Sequence, residues 1–323
     1  MITARKPSAL PTWITVETIL PYVGTVLLLL CASLAFPQVL SLGYLGQQLQ
    51  IAAFLGVLVA GATLVILLGH IDLSVPWTLN GAAIVATAMA GSGNPLLVSL
   101  AIPAALLFGA AVGAVNGLGV TFLRIPSMVW TLAINSMLLG LAVLNTGGFN
   151  PKGESSDLMS WLAAGTLGGV PVAFLVWMLV ATGLAALMMR TGFGRYLRSI
   201  GFNEKAVYLS GVSTRSVVIG AFVIAGICSA LGGVMLAGYA DQAYQSMGDP
   251  FLLPTIAAVV IGGTSILGGR GGLFGSVGGA LFITILNSIL SVAQISDAWR
   301  SIIFGVIILA MLLFQTLRKG GTS

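Results

Sequence analysis

Residues able to do acid–base, nucleophilic or metal chemistry are scarce in this sequence. His70 is its only histidine, with Asp72 two residues on and no obvious triad partners. No GxxxxGK[ST] phosphate loop, HExxH pair, GxSxG elbow or metal-type Cys/His spacing occurs. Cys31 and Cys228, the two cysteines, fall in apolar stretches and read as buried thiols that carry no redox message. The chain therefore reads as a non-enzyme without a metal site.

What the apolar stretches do contain is neutral and hydrogen-bonding: Asn80, Asn116, Asn135, Asn145 and Asn287, with Thr131, Ser136, Thr284 and Ser288. An asparagine among apolar neighbours is costly unless it finds a partner. One reading is helix-to-helix hydrogen bonding. The other is that a subset (Asn80, Asn116, Thr131, Asn135, Asn287) lines a polar, uncharged pathway, which suits a neutral polar cargo. The break Gly69-His70-Ile71-Asp72-Leu73-Ser74 also has two readings. Asp72 and Ser74 cap the apolar run that follows, or Gly69, His70, Asp72 and Ser74 form an inner gate.

The longest polar run is 190–216, where Arg190, Arg195, Arg198, Lys205 and Arg215 stand against the single acid Glu204. Short loops rich in Lys and Arg stay on the cytoplasmic side of a membrane. Within the run Asn203 is a fitting N-cap, Glu204 lies in the first helical turn, and Gly211 stops the helix. Either a second protein grips this helix, or the loop is held to anionic membrane lipid by its charges.

The elements that hold these residues follow from composition. The 323 residues are 58% hydrophobic and 7% charged, with a mean hydropathy of +1.07. That is the signature of an all-α, polytopic membrane protein. Continuous apolar runs disfavour a β-barrel. The net charge of +5 is spread over loops and does not point to nucleic acid. Arg5 and Lys6 precede an apolar run with no suitable small-x-small cleavage site, so that run is taken as the first span.

About ten spans are expected, near 16–36, 47–68, 75–90, 96–123, 127–146, 170–189, 217–238, 251–267, 273–293 and 299–314. A cytoplasmic arm (1–15) precedes a single transmembrane domain (16–316), and a cytoplasmic tail (317–323) follows it. With both termini inside, eleven of the thirteen Lys and Arg fall on the inner side, leaving Lys152 and Arg300 outside. The eighth span is short and glycine-containing, and the 69–74 break allows the second and third spans to be parts of one broken helix. Gly61-Ala62-Thr63 before that break has a weak echo in Gly262-Gly263-Thr264 before the Gly268–Gly272 turn. Chance likeness between glycine-rich spans is the simpler account of it.

Four stretches, in order, resemble the membrane permeases of sugar-type ATP-binding cassette importers, the ribose, xylose and autoinducer-2 group. They are Gly69-His70-Ile71-Asp72-Leu73-Ser74-Val75, similar to GGIDLSVG; Asn116-Gly117 through Arg124-Ile125-Pro126 and Thr131-Leu132; Thr191-Gly192-Phe193-Gly194-Arg195 with 200–206 and Ser210-Gly211-Val212; and Gly262-Gly263-Thr264-Ser265 with Gly268-Gly269-Arg270-Gly271. The resemblance covers most of the chain from Gly69 onward. It implies a bacterial inner-membrane permease that pairs with a second permease chain, identical or paralogous. It also implies a cytoplasmic ATPase and a periplasmic sugar-binding protein, which sets the cargo. No cofactor would sit on this chain, since ATP and Mg belong to the ATPase.

Residue by residue, the resemblance places Gly194, Arg195, Gly201, Asn203, Glu204, Ala206 and Gly211 in the segment that couples to the ATPase. Departures are His70 and Pro76 for glycines, Ser127 for a second proline, Phe202 for a glycine and Val207 for an alanine. The acidic outer residues Glu154, Asp157, Asp241 and Asp249 either meet the delivery protein or are solvated loop residues. An ATP-independent carrier or facilitator for a neutral solute is the runner-up. Nothing positive supports a non-transporting scaffold.

Overall fold

The computed structural model describes residues 16–320, so the arm 1–15 and residues 321–323 of the tail lie outside the described residues. The described chain is a helical bundle: α1 (Val16–Ala35), α2 (Leu42–Leu67), α3 (Val75–Ala90), α4 (Pro95–Phe122), α5 (Ser127–Thr146), α6 (Asp157–Ala164), α7 (Val172–Arg190), α8 (Gly192–Leu209), α9 (Thr214–Ala240), α10 (Leu252–Ile261), α11 (Leu273–Val292) and α12 (Asp297–Gly320). A two-residue hairpin, β1 (Thr166–Leu167) with β2 (Val170–Pro171), pairs Thr166 with Pro171 and Leu167 with Val170.

Seven helices, α1, α2, α4, α5, α7, α9 and α11, are long and apolar enough to cross a membrane, and α3 and α10 are shorter apolar helices. Ten residues of α10 reach about 15 Å, half of a bilayer's roughly 30 Å hydrocarbon core. The expected eighth span, 251–267, is therefore a half-length helix followed by an irregular turn. Gly263, Gly268, Gly269 and Gly271 all take positive φ there, a conformation that ends a helix and that hydropathy does not register. The break after α2 is a real one, and Val75 opens a separate helix.

Polar segments carry more structure than expected. The outer stretch 147–169 holds α6, where the Ser156 hydroxyl accepts from the Met159 N–H at 3.4 Å. The loop after α9 is no solvated strap, because Ala243 and Met247 are fully buried in it. Cys31 is exposed on α1, against expectation, whereas Cys228 is buried as expected.

α2 forms the centre: 83% of its most apolar stretch is buried, against 17% for α1 and 22% for α5. Lipid gives no hydrophobic reason for helices to associate, so close packing must supply the attraction. The small residues of α4 do so on α9. A Cβ on Gly109 would overlap the Gly226 carbonyl, one on Gly113 the Phe222 carbonyl, and one on Gly117 would lie 2.7 Å from the Ile219 Cα. The turns 68–74, 191–213 and 262–272 gather at one end, called inner because it carries the basic segment. The segments 147–157 and 241–251 meet at the other, where the Ser155 N–H donates to the Asp241 carbonyl at 3.1 Å.

Candidate functional site

The basic segment is helical from Gly192 onward, and α8 bends at Asn203, whose backbone is extended (φ −160°, ψ 94°). The Asn203 Oδ1 accepts from the Ala206 N–H at 3.0 Å. This is the N-cap expected of Asn203, and it begins a short helix that Gly211, at φ +81°, closes. That helix projects from the bundle: Asn203, Glu204, Lys205, Ala206 and Gly211 are exposed, and Phe202, Tyr208 and Leu209 are 64%, 65% and 75% exposed. Two glycines anchor the preceding part. A Cβ on Gly194 would overlap the Met188 carbonyl, which seats α8 on the end of α7. Arg195 faces outward.

Gly201 lies deeper, between the two inner turns. A Cβ there would overlap the Leu67 carbonyl and come within 2.5 Å of the Gly269 N–H nitrogen. That N–H donates to the same Leu67 carbonyl at 2.8 Å. On the other side a Cβ on Gly268 would sit 2.8 Å from the Gly69 nitrogen and 3.0 Å from the Gly201 carbonyl. The breaks after α2 and α10 thus meet backbone to backbone, with α8 wedged against both. Phe202 covers Gly269, whose Cβ would lie 2.8 Å from the ring. The His70 ring stands 6.0 Å from that of Phe222. Burial lowers its imidazole pKa from the ordinary value, and the Glu204 carboxylate offsets part of that shift.

Beyond the junction, the 69–74 turn is braced internally and tied to α4 and α5. The Asp72 Oδ1 accepts from the Ser74 N–H at 2.8 Å and the Ser74 hydroxyl at 2.6 Å. Asp72 therefore braces the turn that leads into α3, whereas Ser74, the residue before that helix, makes no side-chain cap hydrogen bond to it, so neither residue caps α3 in the expected way. The Asn116 amide on α4 donates to the Ser74 Oγ at 2.7 Å. On α5, the Ser127 Oγ accepts from the Ile71 N–H at 3.2 Å and the Thr131 Oγ1 from the Leu73 N–H at 2.9 Å. The Asn135 Oδ1 accepts from the Trp77 N–H at 3.3 Å. Ser127, Thr131 and Asn135 recur every four residues, so they share one face of α5. That spacing is the sequence signal for Ser127, which composition alone passes over.

Of the five residues proposed for a pathway, Asn116 and Thr131 thus converge on this turn, and Asn135 meets the first turn of α3 just beyond it. Asn80 is fully buried, with neither amide atom hydrogen-bonded among the described residues, and Asn287 is exposed on α11, apart from the others. A cavity of about 820 Å³ opens elsewhere, between α3, α4 and α5 beneath the segment 147–152. Ile84, Phe108 and Leu138 line its apolar part, and Asn145, Asn150 and Lys152 stand among the outer residues. The Gln245 Nε2 donates to the Thr146 Oγ1 at 2.8 Å and the Phe149 carbonyl at 3.1 Å, which pins the outer end of α5. Sequence pattern does not disclose this chamber, because space between helices is a property of packing.

A bundle of membrane-length helices, an outward chamber lined by amides and apolar side chains, and a projecting inner helix define a multi-pass membrane permease. The chain belongs to the family described as branched-chain amino acid transport system / permease component, whose pattern matches residues 44–312. It is 34% identical over 303 residues to the ribose import permease protein RbsC of Escherichia coli (strain K12), covering 92% of this chain and 93% of that one. Against the ribose import permease protein RbsC of Haemophilus influenzae the identity is 30% over 295 residues, covering 90% and 91%. With the autoinducer 2 import system permease protein LsrC of Yersinia enterocolitica it is 34% over 298 residues, covering 90% and 82%. No solved structure matches the chain.

Proposed function

We propose that this chain is the membrane permease subunit of an ATP-driven importer of the bacterial inner membrane, moving a sugar or similar small neutral polar solute into the cytoplasm. The observation that carries this reading is the end-to-end similarity to permeases named for ribose and autoinducer-2 import. The interior agrees with it, since the chamber between α3, α4 and α5 is lined by amides, a hydroxyl and apolar side chains, with Lys152 at the outer end. A pathway without buried charge suits a neutral cargo better than an ion.

ATP and Mg are bound on a separate cytoplasmic ATPase. The short helix after Asn203 docks in that ATPase, with Glu204 and Ala206 at the contact. Its exposed Tyr208 and Leu209 supply apolar area for such a contact. A second permease chain completes the translocation unit, and a periplasmic binding protein delivers the solute to the outer end. ATP binding closes the ATPase pair, the docked helix moves with it, and the bundle exchanges outward-open for inward-open.

The test is to purify the tagged chain from membranes in mild detergent and identify what accompanies it. An ATPase is expected, and Glu204→Lys or Ala206→Trp should release it while the chain remains folded. Recovery of the chain alone, with solute uptake indifferent to ATP depletion, would replace this reading with a facilitator.

A further inference from the structure

Helix α5 is among the less buried helices of the bundle. It forms one wall of the 820 Å³ chamber, yet only 22% of its most apolar stretch is buried. It is fastened near both ends by hydrogen bonds. Gln245 holds the outer end. At the inner end the Ser127 and Thr131 hydroxyls accept from the backbone N–H groups of Ile71 and Leu73. Those N–H groups belong to the turn that packs, through Leu67 and Gly69, on Gly201 and Gly268. Gly201 lies two residues before the bend from which the coupling helix projects.

We propose that Ser127 and Thr131 are positioning residues for transport: they tie α5, the moving wall of the chamber, to the coupling helix by way of the Ile71–Leu73 backbone and Gly201. This rests on the importer reading above. Where backbones touch with no side chain between them, a rigid displacement of α8 has no soft layer to absorb it. It must shift the Leu67 and Gly269 turns together. The shift reaches α5 through two donors two residues apart in the irregular turn, which meet two hydroxyls one helical turn apart. Because Gln245 holds the far end, displacement at Ser127 and Thr131 tilts α5 and changes the width of the chamber. Spatial continuity alone does not establish coupling, so the test reads the wall itself.

The complex of this chain with its co-purified ATPase is reconstituted in proteoliposomes, with Cys31→Ala removing the exposed native thiol. Ala142→Cys, on the chamber side of α5, reports access to a membrane-impermeant maleimide, which needs no knowledge of the cargo. Labelling is compared without nucleotide and after ATP hydrolysis in the presence of vanadate, which traps ADP and vanadate on the ATPase. The parent should change its labelling rate between the two states. Thr131→Val, matched in volume, should shrink that change by about tenfold, the equilibrium weight of about 1.4 kcal/mol for one tie. Thr131→Ser should restore it, and ATPase recovery should match the parent in both. A merely structural role would lower yield and leave the nucleotide response intact. An unchanged response in Thr131→Val, or a parent whose labelling ignores nucleotide, overturns the proposal. Absence of any co-purifying ATPase is a different outcome, which overturns the importer reading and this inference with it.

Discussion

Asp72 suits two roles in the sequence, and the geometry gives it a more local one, bracing the turn ahead of α3. As a carboxylate before an apolar run it suits a cap, and as one of few acids away from the loops it suits a gate. In the structure its Oδ1 accepts both Ser74 donors, and Ser74 passes the connection to Asn116. Removing a buried acceptor leaves the N–H it served unpaired, which costs about 1–3 kcal/mol. Asp72→Ala should accordingly lower the thermal midpoint of the detergent-solubilised chain by several degrees. Asp72→Asn, which keeps an acceptor oxygen in place, should lower it less. An equal loss in both variants would mean that the charge, and not the hydrogen bond, holds the turn. Among the asparagines, residue type announced a need for partners but not which partners, so Asn116 and Asn135 resemble Asn287 in sequence and differ from it entirely in place. The Ser127 hydroxyl acquires its meaning only opposite the Ile71 N–H, a neighbour 56 positions earlier.

At the scale of elements, the boundaries best read from sequence are those with local stop signals. α5 runs from Ser127 to Thr146, as expected from Pro126 before it and the glycine pair after it. α10 is shorter than the apolar run suggests, because Ile266 and Leu267 carry that run past the glycines whose conformation ends the helix. The first half of α8 looks like loop in the sequence because it is polar and basic, and Gly192, Gly194 and Gly201 lower its helix propensity. Close packing on Met188 and Leu67 requires Gly194 and Gly201, so tertiary contact overrides local preference. The α4–α9 contact gives a direct check. Gly113→Leu must displace Phe222 and its backbone, an overpacking of about 1–3 kcal/mol or more, and should reduce the yield of folded chain. Gly43→Val, where nothing lies within 4 Å, should leave the yield within about 0.5 kcal/mol of parent stability. Equal yields from the two would contradict the backbone contact.

For the whole molecule, orientation rests on the basic asymmetry, and the structure places the basic α8 and the Gly69 and Gly268 turns at one end. The chain should therefore present Lys205 to the cytoplasm and Ser92 to the outside. In a Cys31→Ala background, Lys205→Cys should react with an impermeant maleimide only in inside-out vesicles, and Ser92→Cys only in right-side-out ones. Reversed labelling would invert the topology and place the proposed coupling helix on the wrong side for a cytoplasmic ATPase. The broad architecture, helical and polytopic with a basic segment facing inward, was readable because hydropathy and charge are sums over many residues. The junction of the two inner turns was not. It depends on backbones meeting across about two hundred positions of chain, and the faint echo between Gly61-Ala62-Thr63 and Gly262-Gly263-Thr264 did not disclose that the turns following them touch.

The burial of α2 bears on how the protein is made. Its neighbours in the finished bundle include α9 and α11, among the last helices to leave the ribosome, and Gln48 on it is 5% exposed. At about 5–20 residues per second, the chain from Leu67 to Ala240 takes roughly 10–35 s to synthesise. For that interval a helix destined for the protein interior has lipid or the insertion machinery as its surroundings. Early α2 is thus a point at which membrane biogenesis can fail before any transport step exists.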